Sequence, residues 1–597
     1  MTWEFRSRRL HAATACTLLL AVTPVAAQEK VKEPAPAPAA TTSPPEFRLE
    51  IPEITAEGST LDADAIRDIL TGNVADYAEE LATLDADRIL IPQATLSISG
   101  TDSTGENIVF DVDYNDIELT DVADGIAGSV SIGGTLVAGP EDASTELGAI
   151  TAADFDIGAT LAFYGLTDAA DTGFKTIYRD LSFEGGTFSA DRMDCTIGAA
   201  AIEEFRARPL GTSFVDFMAL ATELEAAGEE PSPELMSRFL VIYADMLTAF
   251  ESTPSTFDGI DCSGVTEDDV PMTFAMGKLT IGGFEPGRYP QVSIENLEVM
   301  VEGGPEAGDF SVGSTVFKGF DFSAQAEVLR NAPENVDETW FESNARSLIP
   351  AFEGFALSDI AFDVPNPDAP GERITASVGA FDLSLANYVN GIPASIDSSA
   401  SNVVINLPET SEDEQIQQMI AAGITSLDLG YNLSLAWDEA TETIAVKDVT
   451  FDARDIMTLK LAGTLGNAVA ELFSTDTNVA AMAGMGVTVK DVKLDITDAG
   501  FVKIALDMAG AEQGADAATM RPMMAGVAEG MVMGVLGGDE QAAKVGAAVA
   551  AFIRGNDTLS LTVTALDEAG LTMFDFMAAE SDPTALISKV KIDATSE

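Results

Sequence analysis

Leu427, Leu429, Tyr431, Leu433, Leu435 and Trp437 occupy every second position without a break. A period of two puts all six on one face of a strand. Asp438 to Glu442 supply a turn and TIAVKDVTFDA runs back, so a long antiparallel hairpin with one oily face is predicted. The same alternation sets Ile108, Phe110, Val112 and Tyr114 against Val109, Asp111, Asp113 and Asn115. Asn115-Asp116 interrupts it as a turn or bulge, after which Ile117 and Leu119 resume the apolar side. Further strands are expected in RILIPQATLSISG, QVSIENLEVMVEGG, FSVGSTVFKGFDFS, FALSDIAFDVPNP, ITASVGAFDLSL, VTVKDVKLDIT and NDTLSLTVTA. Gly185-Gly186 reads as a turn between two strands, and DVPNPDAPG (363–371) as a Pro-rich turn.

Helical spacing appears between these runs. Ile66, Ile69, Leu70, Val74, Tyr77, Leu81 and Leu84 form one stripe over 62–84, with Gly72 weakening its middle. Residues 213–227 are amphipathic, and 232–251 begin with Ser232 as cap and Pro233 in the first turn. Helix is also expected over 463–473, 501–513, 516–536 (with Pro522 near its first turn) and 541–554. The fold class is therefore α+β: mainly antiparallel, long or curved sheets covered by inserted amphipathic helices. No fixed repeat is present. The regions are a leader (1–27), a Pro/Ala-rich linker (28–46), an N-terminal α+β region (47–160), strands with a helical insert (161–330), a middle β-rich region (331–425) and a C-terminal α+β region (426–597).

Composition changes the picture in three ways. Arg6, Arg8 and Arg9 precede an apolar run from Ala12 to Val22, and Val25-Ala26-Ala27 supply small residues, the form of a secretory signal cut after Ala27. The run is too short to span about 30 Å of hydrocarbon. An exported protein of periplasm or cell exterior is expected. The charge is extreme: 31 basic against 98 acidic residues, and 28 against 97, about −69, without the leader. Such a surface repels nucleic acid and anionic headgroups and calls for salt or diffuse divalent cations as screen. Finally, the single histidine, His11, lies in the leader. Its loss removes Ser-His-Asp and Cys-His catalysis and histidine-bearing zinc sites. Cys195 and Cys262 then form the expected disulfide, closing a loop of 67 positions, against the alternative of two buried thiols.

Candidate chemistry is thin. Asp111, Asp113, Asn115, Asp116, Glu118 and Asp121 crowd together, but an EF-hand counted from Asp111 needs Gly and Glu where Asp116 and Val122 stand. The wet face of a sheet explains them better than a looser calcium site or glycosidase acids. No catalytic, cofactor or metal residue is nominated. Trp437 covers the sheet edge or stacks on a ligand. The function expected is an exported acidic envelope protein with a scaffolding or binding role. In its narrower form Leu429, Tyr431, Leu433, Leu435 and Trp437 line a groove for an apolar small molecule or lipid. The alternatives are a carboxylate-dependent polysaccharide or peptidoglycan hydrolase, which needs two cleft acids beside Trp340 or Trp437, and a calcium-stabilised adhesion protein.

Overall fold

The computed structural model describes residues 46–597 except 73, 102–106, 140–142, 168–171, 229–230, 305–306, 367–371, 410, 412, 422, 512–515, 539 and 582. The expected leader, nearly all of the linker and the second half of the Pro-rich turn fall outside these residues. The protein is β-rich, with extensive antiparallel pairing and with helices between the strands. The described residues form two compact units: those from 46 to 219 with those from 249 to 284, and those from 220 to 248 with those from 285 to 597.

In the first unit β1 (Glu46–Glu50) and β2 (Thr55–Glu57) both pair along β3 (Ala86–Thr101). The sheet continues antiparallel through β4 (Asn107–Ala123) to β5 (Ile126–Ala138). From there each strand is broken in two. The breaks separate β6 (Ser144–Leu147) from β7 (Ile150–Asp156), β8 (Lys175–Phe183) from β9 (Gly186–Ala190), and β10 (Met193–Ile197) from β11 (Ala200–Ala207). After the short β12 (Phe250–Ser252), the break recurs between β13 (Ser255–Phe257) and β14 (Ile260–Val265), and between β15 (Pro271–Met276) and β16 (Leu279–Ile281).

The register runs unchanged through every break. Leu147 faces Gly186 and Ile150 faces Phe183; Ile197 faces Gly186 and Ala200 faces Phe183. Ile197 faces Ile260 and Ala200 faces Phe257, and these face Met276 and Leu279 in turn. Gly134, Gly148, Gly185, Gly198, Gly259 and Gly277 consequently stand opposite one another in a single row across six strands. Gly148 N donates to Gly185 O and Gly198 N to Gly259 O, both at 2.7 Å. Gly185-Gly186 is thus part of a glycine seam within a continuous strand, and the expected hairpin turn there is corrected. Glycine in strand interiors marks a bend or a close backbone approach.

A related device keeps the apolar side in phase elsewhere. Asp116 (φ 52) faces Gly133, and Asp121 (φ 52) faces Gly128. One left-handed residue shifts the alternation by a step. Ala94 and Tyr114 before the shift therefore share a core with Ile89, Ile91, Ile117 and Leu119 after it. In the second unit Asn296, Asp359 and Asn402, all near φ 50, alternate across the strands with Gly313 and Gly379. A Cβ on Gly313 would lie 2.9 Å from that of Asp359.

The second unit carries an eleven-strand meander, each strand antiparallel to the next: β18 (Val292–Val301), β19 (Gly308–Asp321), β20 (Ala351–Pro365), β21 (Arg373–Val389) and β22 (Ile392–Asn406). It continues through β23 (Ser426–Asp438), β24 (Thr443–Ala453), β25 (Met457–Gly466), β26 (Thr488–Asp498), β27 (Thr558–Ala565) and β28 (Val590–Ser596). A short β17 (Arg288–Tyr289) pairs beside it on β19. Most of these strands exceed the usual five or six residues.

Helices form where caps and spacing direct them. Ser232 Oγ accepts from Leu235 N at the start of Pro233–Met246, as its sequence implies, but the helix ends before the expected residue 251, and Phe250–Ser252 is the strand β12. The stripe over 62–84 is instead divided: helix Ala63–Thr71 ends at Gly72, a tight turn spans Val74–Tyr77, and helix resumes at Ala78–Ala82. Residues 463–473 hold the end of β25 and a single turn, Ala470–Phe473, and not a helix. Pro522 lies inside Ala517–Val535, beyond the first turn. Ile66 of the first helix joins Ile89, Ile91 and Ala127 in one buried cluster, while Val502, Leu506, Met520, Ala548 and Phe552 join Leu559 in another.

Near the C-terminus Asp575 accepts from Thr572 N and Oγ1, both at 2.8 Å, and pairs with Lys589. Lys589 first, then Thr572, holds its carboxyl down to about 2. The folded value lies below the ordinary one near 3.9. Its contribution is therefore complete above that value and lost as pH falls toward 2. Asp575→Asn is expected to flatten the acid limb of a melting-temperature profile between about pH 4 and 2; a profile parallel to wild type would contradict this.

Candidate functional site

Register in the second unit sorts side chains into rows that cross the sheet. Leu357, Phe381, Ala400, Tyr431, Phe451, Leu459, Ile496 and Leu559 face one another in succession from β20 to β27. Beside them run Phe317, Phe355, Leu383, Ser398, Leu433, Val449, Leu461, Leu494 and Leu561. Directly opposed residues share a face, so this is one oily surface. Phe320 stacks on Phe352 at 4.8 Å and Phe355 on Phe381 at 5.1 Å, extending it toward β19.

The opposite face is polar in the same register. Asp382, Ser399, Asn432, Thr450, Lys460, Asp495 and Ser560 oppose one another. Lys318 Nζ reaches Asp382 at 2.6 Å, and Ser560 Oγ donates to Asp495 at 2.6 Å. Lys493 first and then Ser560 depress the Asp495 carboxyl. Asp382, Lys460 and Asp495 thus lie on the side away from the oily rows.

The state of the oily face divides it. At its far end Ile496, Leu559, Leu561 and Ala594 belong to the cluster that includes Val502, Leu506 and Phe552. Along β20 to β25, by contrast, the only fully buried apolar side chains among the described residues are alanines: Ala394, Ala400 and Ala453. Tyr431 is 38% exposed, Phe451 43% and Phe317 46%. Leu429, Leu433 and Leu435 are half-buried, neither core nor free surface. Trp437 stands apart from this: its Nε1 donates to Ala468 O at 2.6 Å and its ring meets Phe473 at 4.5 Å. Its contacts are those of an edge cover.

A cleft of about 700 Å³ lies in the same unit. Helices Ser323–Arg330 and Glu338–Asn344 bring Glu327, Trp340 and Asn344 to it, and β19 ends there at Asp321. Arg346, Tyr388 and Asn390 are also part of the polar lining, with Ser323, Gln325, Asn331 and Ser347. Asn390-Gly391 is the two-residue turn joining β21 to β22, both residues at positive φ, as such hairpins require. That dipeptide is a legible hairpin signal which the strand pattern alone passes over. Nothing local in the sequence brings Arg346 or Asn344 to the same place.

The acidic cluster of β4 is resolved in detail. Ser97 Oγ donates to Asp111 at 2.6 Å and Thr95 Oγ1 to Asp113 at 2.5 Å, both from across the strand pair. Arg88 pairs with Glu118. Asn115, Asp116 and Asp121 are exposed, the last two serving the backbone shift described above. Among the described residues no group of three or more His, Cys, Asp or Glu side chains could hold a metal ion. Cys195 and Cys262 face each other on β10 and β14 at disulfide distance. No described helix is long and apolar enough to cross a membrane.

Residues 450–597, from the end of β24 through β28, match a family model described as an uncharacterized protein. No curated protein and no solved structure matches the chain.

Proposed function

We propose that this is an exported envelope protein that binds an apolar, chain-like ligand, such as a lipid acyl chain, along the oily face of β20–β25. The observation that carries this reading is the set of in-register apolar rows whose large side chains all remain partly open to solvent. Soluble proteins rarely leave a contiguous apolar surface of this extent without a partner. Six strands at about 4.8 Å apart span roughly 24 Å, more than the roughly 15 Å occupied by one leaflet's chains in a bilayer about 30 Å thick. Each methylene laid on the rows would gain about 0.8 kcal/mol. In this reading helices cover the ends of the face and the middle strands are left for ligand. The leader delivers the protein outside the cytoplasm, and salt or diffuse divalent cations screen its acids.

A second reading, a carboxylate-dependent hydrolase of polysaccharide or peptidoglycan, is favoured by one observation: Asp321 and Glu327 share a cleft with Trp340. The groove reading rests on far more residues.

Organic extraction of the purified protein followed by mass spectrometry should release a bound lipid. In competition assays with a fluorescent fatty acid, Leu433→Asp and Leu461→Asp should each weaken binding about tenfold or more, about 1.4 kcal/mol. Ser434→Ala, on the opposite face, should change it less than about twofold. A ligand-free extract together with unaltered probe affinity in both aspartate variants would overturn the proposal.

A further inference from the structure

We propose that the cleft around Trp340 is a separate binding site for a neutral sugar unit of a glycan. The lining favours a neutral polar guest. Glu327 opposes an anion, Arg346 opposes a cation, Asp321 is already paired with Arg288, and the polar rim leaves an apolar guest with unmet donors and acceptors. A polyhydroxylated neutral ring meets all of them, because each hydroxyl both donates and accepts.

The polar groups are already held in place. Asn344 Nδ2 donates to Trp340 O at 2.8 Å and Asn390 Nδ2 to Phe473 O at 2.9 Å. Each amide is thereby fixed with its oxygen as acceptor. Arg346 Nη1 is committed to Ser474 O, which anchors the guanidinium and leaves its other N–H groups as donors. Tyr388 donates to Phe352 O at 2.6 Å, and burial pushes its phenol up, so the group stays neutral. Trp340 is half-buried, its backbone N–H capped by Asp337 at 2.9 Å and its ring packed in part against the buried cluster of Ala244, Ala326 and Leu329; the rest of the side chain lines the cleft, where it gives apolar contact for the C–H face of a pyranose. A cleft of about 700 Å³ falls within the range of small-molecule sites. The site shares no residue with the oily rows, so the two proposals stand or fall separately.

The test is calorimetric titration of the full-length protein with cellotetraose, maltotetraose and tetra-N-acetylchitotetraose. At least one should bind with a dissociation constant of millimolar or tighter. Trp340→Ala should weaken that binding at least tenfold and Asn344→Ala about fivefold, while Trp340→Phe retains most of it. Fatty-acid probe affinity and melting temperature should stay unchanged in Asn344→Ala, which separates loss of the site from loss of the fold. Absence of binding by all three glycans at about 10 mM, or equal binding by wild type and both Trp340→Ala and Asn344→Ala, would overturn the assignment. Choline binding that displaces the glycan and depends on Trp340 would overturn it too, marking a cation site instead.

Discussion

Gly259→Val is expected to unfold the N-terminal unit rather than loosen one strand. Gly259 has φ +96, outside the regions open to a β-branched residue, and a Cβ there would enter the envelope of Met276 O and lie 2.6 Å from Gly277 O. Neither neighbour can retreat. Met276 is paired to Ile260, and the backbone of Gly259 itself receives the hydrogen bond from Gly198 N at 2.7 Å. Backbone strain of about 1–3 kcal/mol therefore adds to a steric clash with main chain, for a total loss of roughly 3–5 kcal/mol. Gly303→Ala provides the contrast: φ is +90 but no atom lies within 4 Å of the added carbon, so only the conformational term of about 1 kcal/mol applies. Urea melts followed by far-ultraviolet circular dichroism should separate the two variants clearly. A Gly259→Val protein with a wild-type midpoint would show that the seam tolerates side chains and does not define the sheet.

That seam also marks where sequence reading stops. The hairpin over 427–453 is legible because a strand's period of two survives in the chain as unbroken alternation, and its register pairs Tyr431 with Phe451 and Leu433 with Val449. Capped helices such as Pro233–Met246 are legible because caps act within a few residues. The phase shift at Asn115-Asp116 is visible for the same local reason. By contrast Gly134, Gly148, Gly185, Gly198, Gly259 and Gly277 share no period along the chain. Only strand pairing aligns them, so Gly185-Gly186 looks like a turn when read alone. The stripe over 62–84 fails at Gly72 for a different reason, since apolar spacing carries across a break that the backbone does not. The oily face was readable as alternation, but its openness was not. Leu433 would be written identically in a closed core and in an unfilled groove. The Trp340 cleft was out of reach because Asp321, Asn344 and Asn390 meet through tertiary packing.

Removing the link between Cys195 and Cys262 is expected to be at least as costly, and for a reason tied to the same seam. The two residues are directly opposed on β10 and β14, 67 positions apart in sequence. Loop-closure entropy for that length is about 4 kcal/mol. Between them the chain leaves the first unit after Ala219 and re-enters it at Ala249, so the enclosed loop contains a segment counted with the second unit. Without the link, β10 and β14 must find each other across that whole excursion. They must also find the one register that places Gly198 against Gly259, three residues from the cysteines on each strand. A slip of one residue would set Asp258 or Ile260 against Gly198 and turn every side chain to the wrong face. Cys195 is buried, so alanine is the cleaner replacement, adding no hydroxyl without a partner. Cys195→Ala with Cys262→Ala should lower stability by about 4 kcal/mol, and reduction of the wild type by dithiothreitol should reach the same midpoint. Equal melting of oxidised, reduced and double-alanine proteins would mean that pairing of β10 with β14 is specified without the link, and that the glycine row alone sets the register.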